Sequence, residues 1–405
     1  MSSWLHRLLA IFSLFGALLV GHCGPGGRSG PPKGSEKTPA LAPTPSGPEE
    51  DDSKPQEPSV PFAMLGGGPQ HLHRSDLPGP RSRPRISAKF HCGARISASP
   101  VVGPDGTVYI GSVDGTFNAL RQSGRMRWSY VCDEPIFSTA AISQLGSVYV
   151  GCDDDTLLAF STSGRLRWTY PMKQDVDGAP IIGEDGVLYV GGDGLHAIQE
   201  NGKPVFKLWL GGHVSASPSM RHDGVIVVGT HDHRVYAVDQ KGTVLFSFST
   251  KGPIQGPVSV LNTNDMVFGS DDGYVYRLAP KGGTRWKFKT GGPVRSGIAV
   301  APGEKTLFVA SMDGTLFGLD AATGKQNWRV DTAGPIRASP MLDSNGTIYI
   351  GSRDHHLYAI DSADGEIVWR IDLGSQIDST AAIASGRKLI IGSDDGTVRI
   401  LEENT

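Results

Sequence analysis

From about residue 86 onward, short apolar runs alternate with polar turns at a steady interval. In one unit, Ala338-Ser339-Pro340-Met341-Leu342 is a small-residue run and Thr347-Ile348-Tyr349-Ile350 is β-branched and aromatic. Leu357-Tyr358-Ala359-Ile360 follows a tight turn, and Glu366-Ile367-Val368-Trp369-Arg370-Ile371 closes the unit. Each run has the length and residue types of a strand. Asn345-Gly346, Asp105-Gly106, Asp185-Gly186 and Asp223-Gly224 separate the first two runs, and such pairs supply the positive φ of two-residue hairpin turns. The pattern predicts a four-stranded antiparallel meander.

The unit recurs eight times. A turn glycine marks the copies at Gly111, Gly151, Gly191, Gly229, Gly269, Gly351 and Gly392, with Ala310 in the sixth place, at spacings of 38 to 41 residues. A period near 40 built from strands denotes stacked sheets. One such sheet cannot bury both of its faces, whereas sheets packed face to face around an axis can. The fold class read from this pattern is all-β, an eight-bladed β-propeller over residues 85–405. Its last copy has only three strands before Thr405, and Ile86 to Phe90 is an alternating run upstream of the first copy. That run is predicted to complete blade eight, with Ala88 in the tryptophan position and Phe90 in the position of Tyr130 and Tyr170.

Residues 1–22 have the shape of a secretory signal, with His6 and Arg7 before an apolar run from Leu8 to Val20, too short to span a membrane comfortably. Val20-Gly21-His22-Cys23 resembles a bacterial lipobox, with His22 where a small residue is usual, and implies lipidation of Cys23. Residues 23–84 are read as a disordered Pro/Gly-rich tether, because 14 of the 28 prolines lie there and the one apolar stretch is Val60 to Leu65. Such a composition cannot build a core of its own. As a flexible coil it would reach about 45 Å.

The net charge of -3 and the lack of a basic stripe argue against nucleic acid as a partner. Cys132 and Cys152 fall where a link between blades and a neighbouring turn emerge on one face, so an oxidising compartment would let them form a disulfide. The alternative is that Cys92, Cys132 and Cys152 are small buried thiols. Cys152-Asp153-Asp154-Asp155 and Asp271-Asp272-Gly273 could ligate calcium, but tight turns favour Asp at such positions in any case. His231-Asp232-His233 and Asp354-His355-His356 lie three blades apart, too far to share an ion, so no metal is assigned. Gly192-Asp193-Gly194 is a shortened turn and not a dinucleotide site, since no helix follows it. No nucleophile-base-acid set stands out, and no acids or bases are seen to gather near the axis.

Ala359-Ile360-Asp361-Ser362-Ala363-Asp364-Gly365-Glu366-Ile367-Val368-Trp369 and Gly318-Leu319-Asp320-Ala321-Ala322-Thr323-Gly324-Lys325-Gln326-Asn327-Trp328 resemble the tryptophan-docking motif of the pyrroloquinoline quinone (PQQ) repeat family. Trp128, Trp168 and Trp286 fill the same last position, and Phe206 and Phe246 replace it in blades three and four. The resemblance implies that these seven aromatics dock one blade on the next. Two functional classes share the repeat. Quinoprotein dehydrogenases hold the quinone with a Trp and a vicinal cysteine pair, and hold calcium near the axis with Glu, Asn and Asp on long insertions. This chain has no adjacent cysteines and no room for insertions, so neither an enzyme nor a cofactor is assigned. The chain also resembles the BamB-type lipoproteins of the outer-membrane β-barrel assembly machinery. That likeness implies a non-catalytic scaffold, lipid-anchored on the periplasmic side of the outer membrane, whose partners are envelope proteins such as the barrel-assembly complex. A PQQ-dependent dehydrogenase and a soluble ligand-binding propeller are the alternatives.

Overall fold

The computed structural model describes residues 63–404, Glu184 excepted, as eight four-stranded antiparallel sheets. Blade one runs Val101–Val102, Val108–Gly111, Thr116–Leu120 and Met126–Val131, each strand paired with the next. Asp114 shows why the turns recur. Its carboxylate accepts from the Thr116 backbone N–H at 3.0 Å, the Asx geometry that short polar side chains supply. No helix among the described residues is long and apolar enough to cross a membrane.

The ring closes as the strand pattern predicts. Arg85–His91 is the outer strand of blade eight, next to Thr397–Glu402, Lys388–Gly392 and Ala382–Ala384. Ala88 faces Ile400 and Phe90 faces Val398, as Trp128 faces Ala119 and Tyr130 faces Phe117 in blade one. Neighbouring blades meet at the marker glycines. A Cβ at Gly392 would lie 2.4 Å from Ile96 on the link into blade one, and one at Gly111 would lie 2.2 Å from Ile136 on the link into blade two. Only a residue without a side chain admits that approach.

Each repeated aromatic except Trp369 lies on the turn of the following blade. Trp128 donates through Nε1 to the Thr162 carbonyl at 2.9 Å, Trp168 to Glu200 at 2.8 Å, Trp286 to Ala321 at 2.9 Å and Trp328 to Ser362 at 3.2 Å. Phe206 and Phe246 press on Gly242 and Gly282 without a polar contact of that kind. Trp369 is the one exception to the pattern and turns to Pro80.

That contact belongs to a correction of the tether boundary. Residues 63–84 were read as part of the disordered segment, yet Met64, His71, His73, Gly79, Pro80 and Pro84 are buried. The compositional argument requires a segment to supply its own core. This one uses a cavity and hydrogen-bonding groups that the propeller already provides. Residues 1–62, with the expected signal, Cys23 and the rest of the tether, lie outside the described residues.

Candidate functional site

The first strand of every blade has one edge without a neighbour in its sheet, and in a ring of blades those edges face the axis. A single stretch, residues 63–77, binds the first strands of five blades. The Ile142 N–H of blade two donates to Ala63 at 2.8 Å, and Met220 of blade four donates to Pro69 at 2.7 Å. Val260 of blade five donates to Gln70, Val300 of blade six to Leu72 and Leu342 of blade seven to His73, at 2.9 to 3.0 Å. One short segment can touch blades two, four, five, six and seven only near the centre, so it crosses the axial mouth at the ends of the first strands, beside a cleft lined by Ala63, Leu77, Val102, Gly103 and Ile383. It leaves past blade seven, where Gly79 donates its N–H to Asp343 at 2.8 Å and the Tyr349 hydroxyl donates to Pro80 at 3.0 Å.

Two histidines lie within this axial segment. His71 and His73 are fully buried, stacked with ring centroids 6.1 Å apart, and both have positive φ. His71 donates through Nε2 to the Pro218 carbonyl at 2.8 Å, whereas neither ring nitrogen of His73 has a partner. Burial pulls His71 down to about 4, and burial together with the neighbouring His71 pulls His73 down to about 3. Both are therefore neutral at ordinary pH. Sequence reasoning missed them. The only available signal was the apolar stretch from Val60 to Leu65, which ends where the axial segment begins.

The opposite mouth of the channel corrects a second expectation, because charge does gather there. The contributing positions are the turn residue two past each marker glycine and the link residues on either side of the Ile or Val that packs on it. Burial raises Asp177, and His213, whose Nε2 lies 3.9 Å from its carboxylate, opposes the rise. Burial raises Asp153 to about 7, with Asp177, Asp175, Glu134 and Asp154 adding to the rise. Burial and the nearby Asp378 raise Asp394 as well. Other acids are already paired. Arg295 forks Asp271 with two contacts of 2.9 Å, and Arg353 forks Asp378 at 2.8 and 2.7 Å.

The remaining sequence candidates divide clearly. His231 lies at the mouth, its ring edge-on to His213 at 5.3 Å, and it contacts the Ser215 hydroxyl at 2.8 Å. Asp232 and Asp354 accept from Tyr236 and Tyr358 at 2.7 and 2.6 Å, so those turn acids are structural. Gly192-Asp193-Gly194 is a hairpin, Gly192 facing Gly194. Cys132 and Cys152 are brought together, but they are free thiols and no disulfide joins them. Cys92 is also a free, buried thiol.

This arrangement does not fit a quinone and its calcium. The three described cysteines are not adjacent in the chain, residues of the protein itself occupy the axis, and Asp271 and Asp378 at the mouth are neutralised by arginines.

No curated protein matches the chain by sequence. Among solved structures, BamB from Moraxella catarrhalis superposes with a TM-score of 0.67 at 16% identity, covering 79% of this chain and all of the other. A europium-containing methanol dehydrogenase superposes with a TM-score of 0.73 at 14% identity, over 85% of this chain and 98% of that one. The quinohemoprotein alcohol dehydrogenase of Comamonas testosteroni gives 0.71 at 14%, over 86% and 81%. At such identities these likenesses speak for the fold, which scaffolds and enzymes share. The sequence profile described as outer membrane protein assembly factor BamB matches residues 72–179, 155–270 and 271–405. The repeats from residue 72 to the last residue, Thr405, are thus all accounted for by one profile, and the chain belongs to the PQQ-repeat family of outer membrane protein assembly factor BamB.

Proposed function

We propose that this protein is a non-catalytic scaffold of the cell envelope, held on the periplasmic side of the outer membrane by a lipid on Cys23 and binding proteins of the barrel-assembly complex. The observation that carries this reading is the axial segment. A propeller enzyme of the quinone type works at its axis, and here that space holds His71, Leu72 and His73. With the axial segment lying across the first strands of five blades, we assign recognition to the rim and the exposed loops. Trp209, 59% exposed, and Val131, 65% exposed, end outer strands, and aromatic residues are enriched where protein partners dock.

Capture of the full chain from envelope membranes tests the proposal. Co-purification with the barrel-forming subunit, and release of the protein to the soluble fraction by Cys23→Ala, are the expected results. Saturable PQQ binding with dye-linked alcohol oxidation by the purified protein would replace this reading with the dehydrogenase one, whose fold is the same.

A further inference from the structure

Blade two differs from blade seven at one cluster. In blade seven, Thr332 on the incoming link and Ser352 after the marker glycine place their hydroxyls 3.2 Å apart, and Asp354 is held by the Tyr358 hydroxyl. The corresponding residues of blade two are Cys132, Cys152, Asp154 and Leu158. Two hydroxyls have become two thiols, and the acid has lost its tyrosine. The two sulfurs and a carboxylate oxygen of Asp154 all lie within 4.8 Å of one another.

From this geometry we infer that Cys132, Cys152 and Asp154 form a binding site for a thiophilic divalent cation, zinc being the best fit. Sulfur ligands select zinc over calcium or magnesium, and zinc accepts two thiolates, a carboxylate and a fourth ligand in a small tetrahedral shell. The frame is fixed before any ion arrives. The Cys132 N–H donates to Gly115 at 2.8 Å, and the Asp153 N–H donates to Pro135 at 3.0 Å, so link and turn are tied to their surroundings on both sides. Thr156 donates its hydroxyl to the Asp154 carboxylate, the kind of outer contact that orients a ligand. Both cysteines are buried, which limits competition from solvent. Binding releases the two thiol protons, leaves zinc in its divalent state and requires no oxidant. Blade one provides an internal contrast, since Cys92, Ser112 and Asp114 offer a single sulfur at the equivalent positions.

The test uses the full-length protein, reduced and freed of metal, titrated with Co²⁺ and then with Zn²⁺. One equivalent of cobalt should give a sulfur-to-metal charge-transfer band that zinc displaces. Cys132→Ser and Cys152→Ser, which restore the hydroxyls of other blades and should fold, should abolish the band. Thr156→Val should weaken binding about tenfold or more, and Cys92→Ser should change nothing. Absence of a stoichiometric band, or a band that survives Cys152→Ser, would overturn the site. So would isolation of the native protein with the two sulfurs resistant to alkylation until reduced, which would identify the pair as a disulfide.

Discussion

Trp369 donates through its indole N–H to the carbonyl of Pro80 at 3.2 Å. In the other tryptophan-bearing blades the acceptor is a turn residue of the next blade. Blade eight has no such turn, because its last two strands come from opposite ends of the chain. The end of the axial segment substitutes for it, so one stretch of chain both crosses the axial mouth and completes the docking of blade seven.

Truncation should therefore act in two steps. A chain starting at Arg81 keeps the outer strand of blade eight but loses the axial segment, and it should melt below one starting at Pro61. A chain starting at Gly93 also leaves an apolar strand edge exposed and should aggregate. Calorimetry on the three would show this, and equal melting temperatures for the first two would mean that residues 63–80 add no stability.

Trp328 packs on Gly365, where an added Cβ would lie 2.8 Å from the ring and φ is +82°. Trp328→Ala should lower stability by about 3 kcal/mol, since the cavity cannot refill from a backbone turn. Partner binding should survive at temperatures where the variant remains folded, and denaturant unfolding paired with a pull-down checks both statements.

Acid should loosen the axial segment. His71 and His73 are neutral in the fold, with values near 4 and 3 against an ordinary 6.5. The unfolded chain takes up their protons first as pH falls, so their contribution is complete above about 6.5 and is lost progressively toward 4 and 3. His73→Asn, which tolerates the positive φ at this position, should flatten the melting temperature between pH 6.5 and 4. An unchanged slope would show that other groups govern it.

Arg353 lies in a turn, but its side chain is tied to a buried acid. The Asp378 side chain it forks is 1% exposed, and Arg353→Met would leave that carboxylate buried and unpaired. A loss of about 3 kcal/mol is expected, the usual scale for breaking such a pair. His355→Ala, in the same turn and exposed, should leave the melting temperature unchanged.

Blade number, strand order and the closing strand could all be read from the sequence, because they rest on local chemistry repeated eight times. Asp114 caps its own turn, and Gly111 admits Ile136 in the same way that Gly392 admits Ile96. The pairing of Ala88 with Ile400 repeats that of Trp128 with Ala119, as alignment of the Ile86 to Phe90 run with the other outer strands predicts. The axial segment could not be found in this way. Met64 to Pro80 has neither periodicity nor a core of its own, and its composition is that of a linker. Its order comes from the unpaired edges of strands that lie 79 to 269 residues further along the chain, and they converge only once the blades have packed around the axis. The charged channel mouth has the same origin. Asp271 and Arg295 are unremarkable in their own repeats, and the packing of one blade on the next is what brings them together. Sequence by itself determined the blades, since each is built from contacts near in the chain. The contents of the axis were decided by tertiary structure, because the axial segment meets strands that become its neighbours only when the blades have packed around it.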